Sequence, residues 1–242
     1  MNNTMPVLLS GDVDFMIKGI FSYNFFGHEV WITTTHVCTL IVMLLIVLFA
    51  VFANRAVKKA NEGEAPGTFL NIVELLIEFL DGVINGTMGK NAGKFLNYVS
   101  TLFIFILLSN ISGLLGLRPP TADYGVTFPL GLITFGLITF NKFKHQKVSG
   151  VIKGLCDPWV FWLPINLIGD FAVPISLSLR LFANVLSGTV MMALFYGLLP
   201  IFVKIGIPAV LHIYFDLFSG AIQTYVFCML TMTYVSDAIG DN

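Results

Sequence analysis

The chain has 242 residues, of which 56% are hydrophobic and 11% charged, with a net charge of -1 and a mean hydropathy of +0.85. A soluble domain has roughly 25% charged residues, so a soluble globular core is excluded and an all-α integral membrane protein of several spans is expected. The near-neutral charge argues against a nucleic-acid partner.

Residues 1–20 carry Asp12 and Asp14 and lack an uninterrupted apolar run, so no cleavable signal peptide is predicted. The first span is placed at residues 30–54. Thr33, Thr34, Thr35 and His36 stand at its head, and Arg55, Lys58 and Lys59 follow it. Asn61 to Gly67, NEGEAPG, reads as a loop with a turn. Residues 67–88 differ. Phe69, Ile72, Val73, Leu76, Ile77 and Leu80 recur at helical spacing, while Glu74, Glu78 and Asp81 take another face. That pattern predicts an amphipathic helix lying along the membrane interface, with a helix packed on a partner as the alternative.

Residues 95–140 read as a helical hairpin turning at RPPTADYG, Arg118 to Gly125. A basic loop with Lys142, Lys144, His145, Lys147 and Lys153 is expected next. Residues 158–242 are assigned to two long helices, divided near Pro200 to Pro208. The run from Trp159 to Val203 is 45 residues long, about 67 Å as one helix. A perpendicular crossing uses about 30 Å. Two crossings broken at Pro174 fit by length, but no polar turn separates the halves, so one long, tilted or bent helix is predicted. The whole is read as a single membrane domain, 1–242, of about five spans plus the interfacial helix. Basic residues are richer in the loops holding Arg55, Lys58, Lys59, Lys90, Lys94, Lys142, Lys144, Lys147 and Lys153 than in those holding Lys18, Arg118 and Lys204. The richer side is cytoplasmic by the positive-inside rule, which puts the amino terminus outside and the carboxyl terminus inside.

The Trp159–Val203 run has two charged residues, Asp170 and Arg180. An arginine at mid-membrane costs from about 3 to more than 10 kcal/mol and marks a functional site by default. Pairing with Asp170 or Asp216 as a structural ion pair is the plain alternative. Residues three, four and seven apart share a helix face, so Ser176, Arg180, Asn184 and Ser187 form one stripe and Asp216, Ser219 and Gln223 another. Gln223 is either part of an ion path or an amide linking two helices. Asp216 and Thr189 fall in the outer half, Asn166 and Asp170 in the inner half. Polar groups thus form two partial paths that meet near a fixed cation. His36, His145 and His212 have no metal spacing and read as interfacial or surface residues, and Cys38, Cys156 and Cys228 read as small buried apolar groups. No nucleotide-binding or nucleophile motif is visible, so no catalytic residue, metal or cofactor is assigned.

PTADYGVT (Pro120 to Thr127), LPINLIGDFAVPISLSLRLFANVLSG (Leu163 to Gly188) and IQTYVFCMLTMTYVS (Ile222 to Ser236) resemble, in this order, segments of subunit a of the F-type ATP synthases. The resemblance covers almost the whole chain. It implies a stator subunit, not itself an enzyme, that provides two half-channels for H+ or Na+ in a bacterial plasma membrane. Its last two spans would pack tilted against a ring of c subunits, with b-type peripheral-stalk subunits as further partners. Arg180 resembles the essential arginine of that family, Gln223 the glutamine facing it, Asn184 the asparagine one turn on, and Asp170 an acidic position of the inner channel. Thr189 stands where some members have glutamate, and Asp216 where members have histidine or glutamate. Val173 occupies a place often basic, so a second inner-side cation is expected to be missing. An ion-coupled secondary transporter and a non-conducting scaffold subunit are the rival functions; the transporter would show two internal repeats.

Overall fold

A computed structural model describes residues 19–25, 28–59, 67–115, 117–156, 159–198 and 207–240. The predicted turns at 61–66 and 199–206, with Lys204, and the first 18 residues lie outside the described residues.

Helix dominates, as composition requires, because only helices and closed barrels satisfy every backbone group in lipid. Five helical stretches are long and apolar enough to cross a membrane. A short antiparallel hairpin precedes them, β1 (Gly19–Phe25) paired with β2 (His28–Thr33). It takes residues 30–33 out of the predicted first span. At the junction Thr33 donates its N–H to His36 Nδ1 at 3.4 Å, and the two side chains meet at 2.7 Å. His36 therefore occupies the first turn of α1 (Thr34–Lys59) as a helix-start contact. Lys58 and Lys59 end α1, where cations complement the partial negative charge of the last carbonyls. Leu40, Val47 and Phe52 of α1 are exposed, as a lipid-facing helix demands.

The amphipathic stretch forms α2 (Thr68–Met88). Leu70, Val73, Leu80, Ile84 and Met88 are buried, against α3 and α7. Phe69, Ile72 and Ile77, expected on the same apolar face, are exposed. The helix has two apolar sides, and hydrophobic spacing alone does not say which one meets protein. Gly89, at φ +51°, ends α2 where a side chain would be strained. After a short 3₁₀ turn the chain enters α3 (Ala92–Ile111).

The predicted turn at 118–125 is tight. Pro120–Ala122 form a 3₁₀ turn, and Asp123 Oδ1 accepts the Gly125 N–H at 2.9 Å, an Asx turn. α4 then runs from Tyr124 to Cys156. The stretch from Lys142 to Lys153, expected as a loop, is the end of this helix. Lysine is a good helix former, and a change of polarity marks the edge of a membrane without ending a helix.

α5 spans Leu163–Leu198 without a break, and Pro174 lies inside it. The predicted single long helix is therefore present, and no hairpin turns at the proline. Pro174 has no N–H to give the carbonyl of Asp170, and neighbouring helices tolerate such a gap. The last stretch comprises α6 (Ile207–His212), a π-helical segment (Ile213–Ser219) and α7 (Gly220–Ile239). Gly240, at φ +81°, caps α7, its N–H reaching Ser236 and Asp237 carbonyls. Ile84, Ile106, Leu181, Phe227, Met232 and Val235 are nearly inaccessible and form the centre of the core. Hydroxyls inside these helices turn back on a carbonyl of the preceding turn, four residues before in Thr87, Thr101, Thr224 and Thr233 and three before in Thr127 and Ser178.

Gly131 sets the approach of α4 to α5. A Cβ there would stand 2.6 Å from the Pro174 carbonyl oxygen, whereas one at Gly136 would meet nothing. Gly131→Ala is expected to destabilise the protein by about 1–3 kcal/mol through overpacking. The check is the thermal midpoint of the purified protein in detergent, with Gly136→Ala as the neutral comparison; equal midpoints would refute the close-packing account.

Candidate functional site: two polar cavities and an unpaired arginine

Arg180 lies 17 residues into α5, on an exposed stripe with Ser176, Ala183 and Ser187. Among the described residues it has no hydrogen-bond or ion-pair partner. Neither aspartate that could neutralise it does so: Asp170 Oδ2 accepts from Lys142 Nζ at 2.8 Å, and Asp216 Oδ2 lies 2.8 Å from His212 Nδ1. Among the described residues Arg180 thus forms no ion pair with either aspartate. Gln223 of α7, a helix packed on α5, is buried, and its Nε2 has no partner. It does not link helices through that nitrogen. A buried donor left unpaired costs about 1–3 kcal/mol.

Toward one end of α5, three expected residues meet. Ser219 donates to Asn184 Oδ1 at 3.0 Å. Asn184 and Asp216 line one narrow cleft of about 10 Å³ with Gly188 and Asn110, room for about one water. Gly113 leaves space for Asp216, since a Cβ there would stand 3.3 Å from its carboxyl carbon. Asp216 lies in the middle of the π segment. The wider π turn rotates the following residues, so Asp216, Ser219 and Gln223 do not form the straight stripe that 3.6 residues per turn predicts. Such segments occur frequently at functional sites. Thr189 does not line that cleft, and its hydroxyl donates to the Leu186 carbonyl at 2.8 Å. Ser187 likewise donates to the Asn184 carbonyl at 2.9 Å.

Two residues missed in the sequence hold this region. Asn110 of α3 donates to the Gly220 carbonyl at 3.0 Å and to Thr224 Oγ1 at 3.3 Å, while its Oδ1 accepts from Thr121 at 2.7 Å. All three side chains are buried. Gly220 permits the approach: a Cβ there would lie 2.9 Å from that of Asn110. The network pins α7 where the π segment ends. The second is His212, read from the sequence as an interfacial or surface residue and here paired with Asp216. An asparagine at the end of an apolar span and a histidine four residues before an aspartate were the available signals.

At the other end, about 15 Å along α5 from Arg180 at 1.5 Å per residue, Asp170 faces α4 and α7 across a cavity of about 310 Å³. Lys142 supplies there the cation that Val173 does not. The expectation that this side lacks one is therefore corrected: it comes from α4. Asn166 Nδ2 donates to the Leu155 carbonyl at 3.0 Å, serving the end of α4. Among the described residues no group of three His, Cys, Asp or Glu is placed to hold a metal, and Cys38, Cys156 and Cys228 are free thiols.

Residues 36–236 match the family ATP synthase A chain. A protein of Propionigenium modestum named "ATP synthase subunit a, sodium ion specific" is 35% identical over 226 residues, 87% of this chain and 75% of that protein. "ATP synthase subunit a" of Desulforamulus reducens is 37% identical over 207 residues, covering 84% and 78% of the two chains. That of Mycoplasma genitalium is 34% identical over 219 residues, 80% and 75%. The chain belongs to the ATP synthase A chain family. As a member of that family, with five helices able to span a bilayer, it is an integral membrane protein. The family match takes in Arg180, the π segment, the narrow cleft and all of the larger cavity's lining except Asp237 and Ala238, and it leaves out the β-hairpin.

Proposed function

We infer that this chain is the stationary ion-conducting subunit of a rotary ATP synthase. The carrying observation is the free cation of Arg180 on an exposed helix face, beside a helix whose buried Gln223 has a spare donor. Both groups await an acceptor that this chain does not supply. A carboxylate on a ring of c subunits fits. Such a carboxyl is neutral against lipid, and next to a guanidinium its pKa falls by about 1 to 3 units. It therefore releases its H+ or Na+ as it reaches Arg180 and reloads after passing. The cleft at Asp216, Asn184 and Ser219 serves the outer side, and the cavity at Asp170 the inner side. Arg180 between them bars direct leakage, since a cation would have to pass a fixed positive charge. Each charge that crosses 100 mV releases about 2.3 kcal/mol, and the rotation it drives is used for ATP synthesis elsewhere in the complex. The subunit is not itself the enzyme. α5, 36 residues and about 54 Å long, exceeds a hydrocarbon core of about 30 Å, which supports a strong tilt along the ring. α2, with Glu74 and Glu78 exposed, suits the interface. b-type stalk subunits are the expected stationary partners.

Membrane vesicles containing the complex test this reading through ATP-driven uptake of Na+ and of H+, measured with and without added Na+. Uptake of neither ion defeats it. The relative from Propionigenium modestum is sodium ion specific by name, so both ions are tested. The orientation is checked with a tag after Asn242. Protease is expected to remove it from the cytoplasmic side; removal only from outside would reverse the two paths.

A further inference from the structure

We propose that Asn110 is a positioning residue for Gln223: its amide locks the first turn of α7 to α3 and so fixes the angle at which Gln223 is presented. This rests on the conducting reading above, in which the spare donor of Gln223 awaits a carboxylate from outside the chain. Asn110 stands at the end of α3 and is 3% exposed. The Gly220 carbonyl can only accept, so the group facing it at 3.0 Å is the amide nitrogen Nδ2. The same nitrogen donates to Thr224 Oγ1 at 3.3 Å. Thr121 donates to Oδ1 at 2.7 Å, which keeps the nitrogen turned toward α7. Thr224 in turn donates to the Gly220 carbonyl at 2.8 Å, so Asn110, Thr224 and Gly220 close a ring of hydrogen bonds.

Gly220 and Thr224 share one face of α7, the face bonded to α3. Gln223 lies between them in sequence, about 100° round the helix from Thr224. With the turn held at both ends, Gln223 has no freedom to swing about the axis. The need for a hold is local. The π segment ends at Ser219, directly before this turn, and its bonds span one residue more than those of an α-helix. That surplus residue can sit in any turn that accepts it. Moved one turn on, across Gly220, it would rotate Gln223 by about one residue, 100°, and bring Thr224 into its place. A working site tolerates only about 10–20°. The bonds from Asn110 tie down the first α turn and stop the wide turn at its observed end. Beyond it, Phe227 and Met232 are buried in the core and hold the rest of α7 by packing.

Gln223→Leu keeps the size and removes the donor. It is expected to lower the maximal rate of ATP synthesis at least about tenfold, the worth of a hydrogen bond to a charged group. Asn110→Leu, acting through Gln223, lowers it roughly fivefold, the bias that one net hydrogen bond gives an equilibrium. Thr121→Val frees the amide to turn and has a smaller effect in the same direction, and Thr121→Ser, which keeps the hydroxyl, recovers the rate. Asn110 also lines the narrow cleft, whereas Thr121 and Thr224 do not. Thr121→Val and Thr224→Val therefore lower the maximal rate while the outer half-saturating ion concentration stays within about twofold. Tyr98 provides the comparison. Its hydroxyl meets Thr134 Oγ1 at 3.3 Å, about 18 Å along α3 from Asn110. Tyr98→Phe breaks that contact between helices and leaves the rate within about 1.5-fold of the wild type.

The experiment uses vesicles carrying the full complex, with ATP synthesis under an imposed ion gradient normalised to assembled complex. The double variant decides. Losses that run through one group do not add, so in a Gln223→Leu background Asn110→Leu costs less than about 1.5-fold. A purely structural role predicts the same roughly fivefold loss in both backgrounds, and that result overturns the proposal. So does an undiminished rate in Asn110→Leu. A raised outer half-saturating concentration in Thr121→Val, with the maximal rate unchanged, also overturns it, because the network would then belong to the outer entrance. Should Asn110→Leu fail to assemble, Thr121→Val and Thr224→Val carry the same test against Gln223→Leu. A Gln223→Leu complex with the wild-type rate removes Gln223 from the mechanism, and the proposal with it. A wild type that couples neither ion to ATP synthesis defeats the conducting reading itself. Wild-type coupling with additive losses defeats only the role of Asn110.

Discussion

Arg180→Ala is expected to abolish ion-driven ATP synthesis while the complex still assembles. The side chain is exposed and has no partner among the described residues, so its removal breaks no contact within this chain. Substitutions at such positions typically change stability by no more than about 0.5 kcal/mol. The functional loss is of another size. If Arg180 lowers the pKa of a passing carboxyl by about 2 units, that is about 3 kcal/mol, a factor of about 100 in its ionised population. Without it the carboxyl keeps its ion and the ring is not reloaded. Passive leak is expected to rise, because the fixed charge between the two cavities is gone. Arg180→Lys should also fail, since a compact ammonium lacks the planar two-donor edge and loses its proton more readily when desolvated. The measurements are ATP synthesis under an imposed ion gradient, passive ion flux, and the amount of assembled complex. Normal synthesis by the alanine variant would remove Arg180 from the mechanism.

What the sequence showed was what periodicity and cost make visible. Arg180 stood out because a cation in an apolar run is expensive. The continuity of α5 through Pro174 followed from the missing polar turn, and the structure has it. The order of spans followed from apolar length. Three other features were not legible, the first two because they are long-range. Lys142 reaches Asp170 from a neighbouring helix, and its identity as one lysine of a basic stretch said only that it lies near the membrane edge. Asn110 acquires its meaning from Gly220, 110 residues away. The π segment changes the turn of the last helix while its residues, IYFDLFS, look like any apolar helix. The local failures have local causes. Residues 30–33 of β2 were merged into the first span because VWIT is apolar enough to extend it. The buried side of α2 was misjudged because the helix carries apolar residues on two sides.

Asp216→Asn is expected to raise the half-saturating ion concentration on the outer side by roughly tenfold, more than it lowers the maximal rate. A single negative charge at a narrow, poorly screened entrance has an effect of that order. Asp216 is the carboxylate of the narrow cleft proposed above as the outer entrance, where it sits with Asn184 and Gly188. Asparagine keeps the size and an acceptor for His212, so the 2.8 Å contact and the packing against Gly113 survive, and only the charge is lost. His212→Gln, which keeps a donor toward Asp216, is expected to have the smaller effect, because His212 is the more exposed partner. A second measurement reads access directly. Asp216→Cys is placed in a background lacking Cys38, Cys156 and Cys228, and is treated from the outer side. Silver ion, small enough for a cleft with room for about one water, is expected to label it and to stop ion flow, while a bulky impermeant thiol reagent reacts slowly. Failure of silver to reach the thiol from outside, together with an unchanged outer ion dependence in Asp216→Asn, would take this cleft out of the path. The outer ion would then have to arrive at Arg180 along another face of α5.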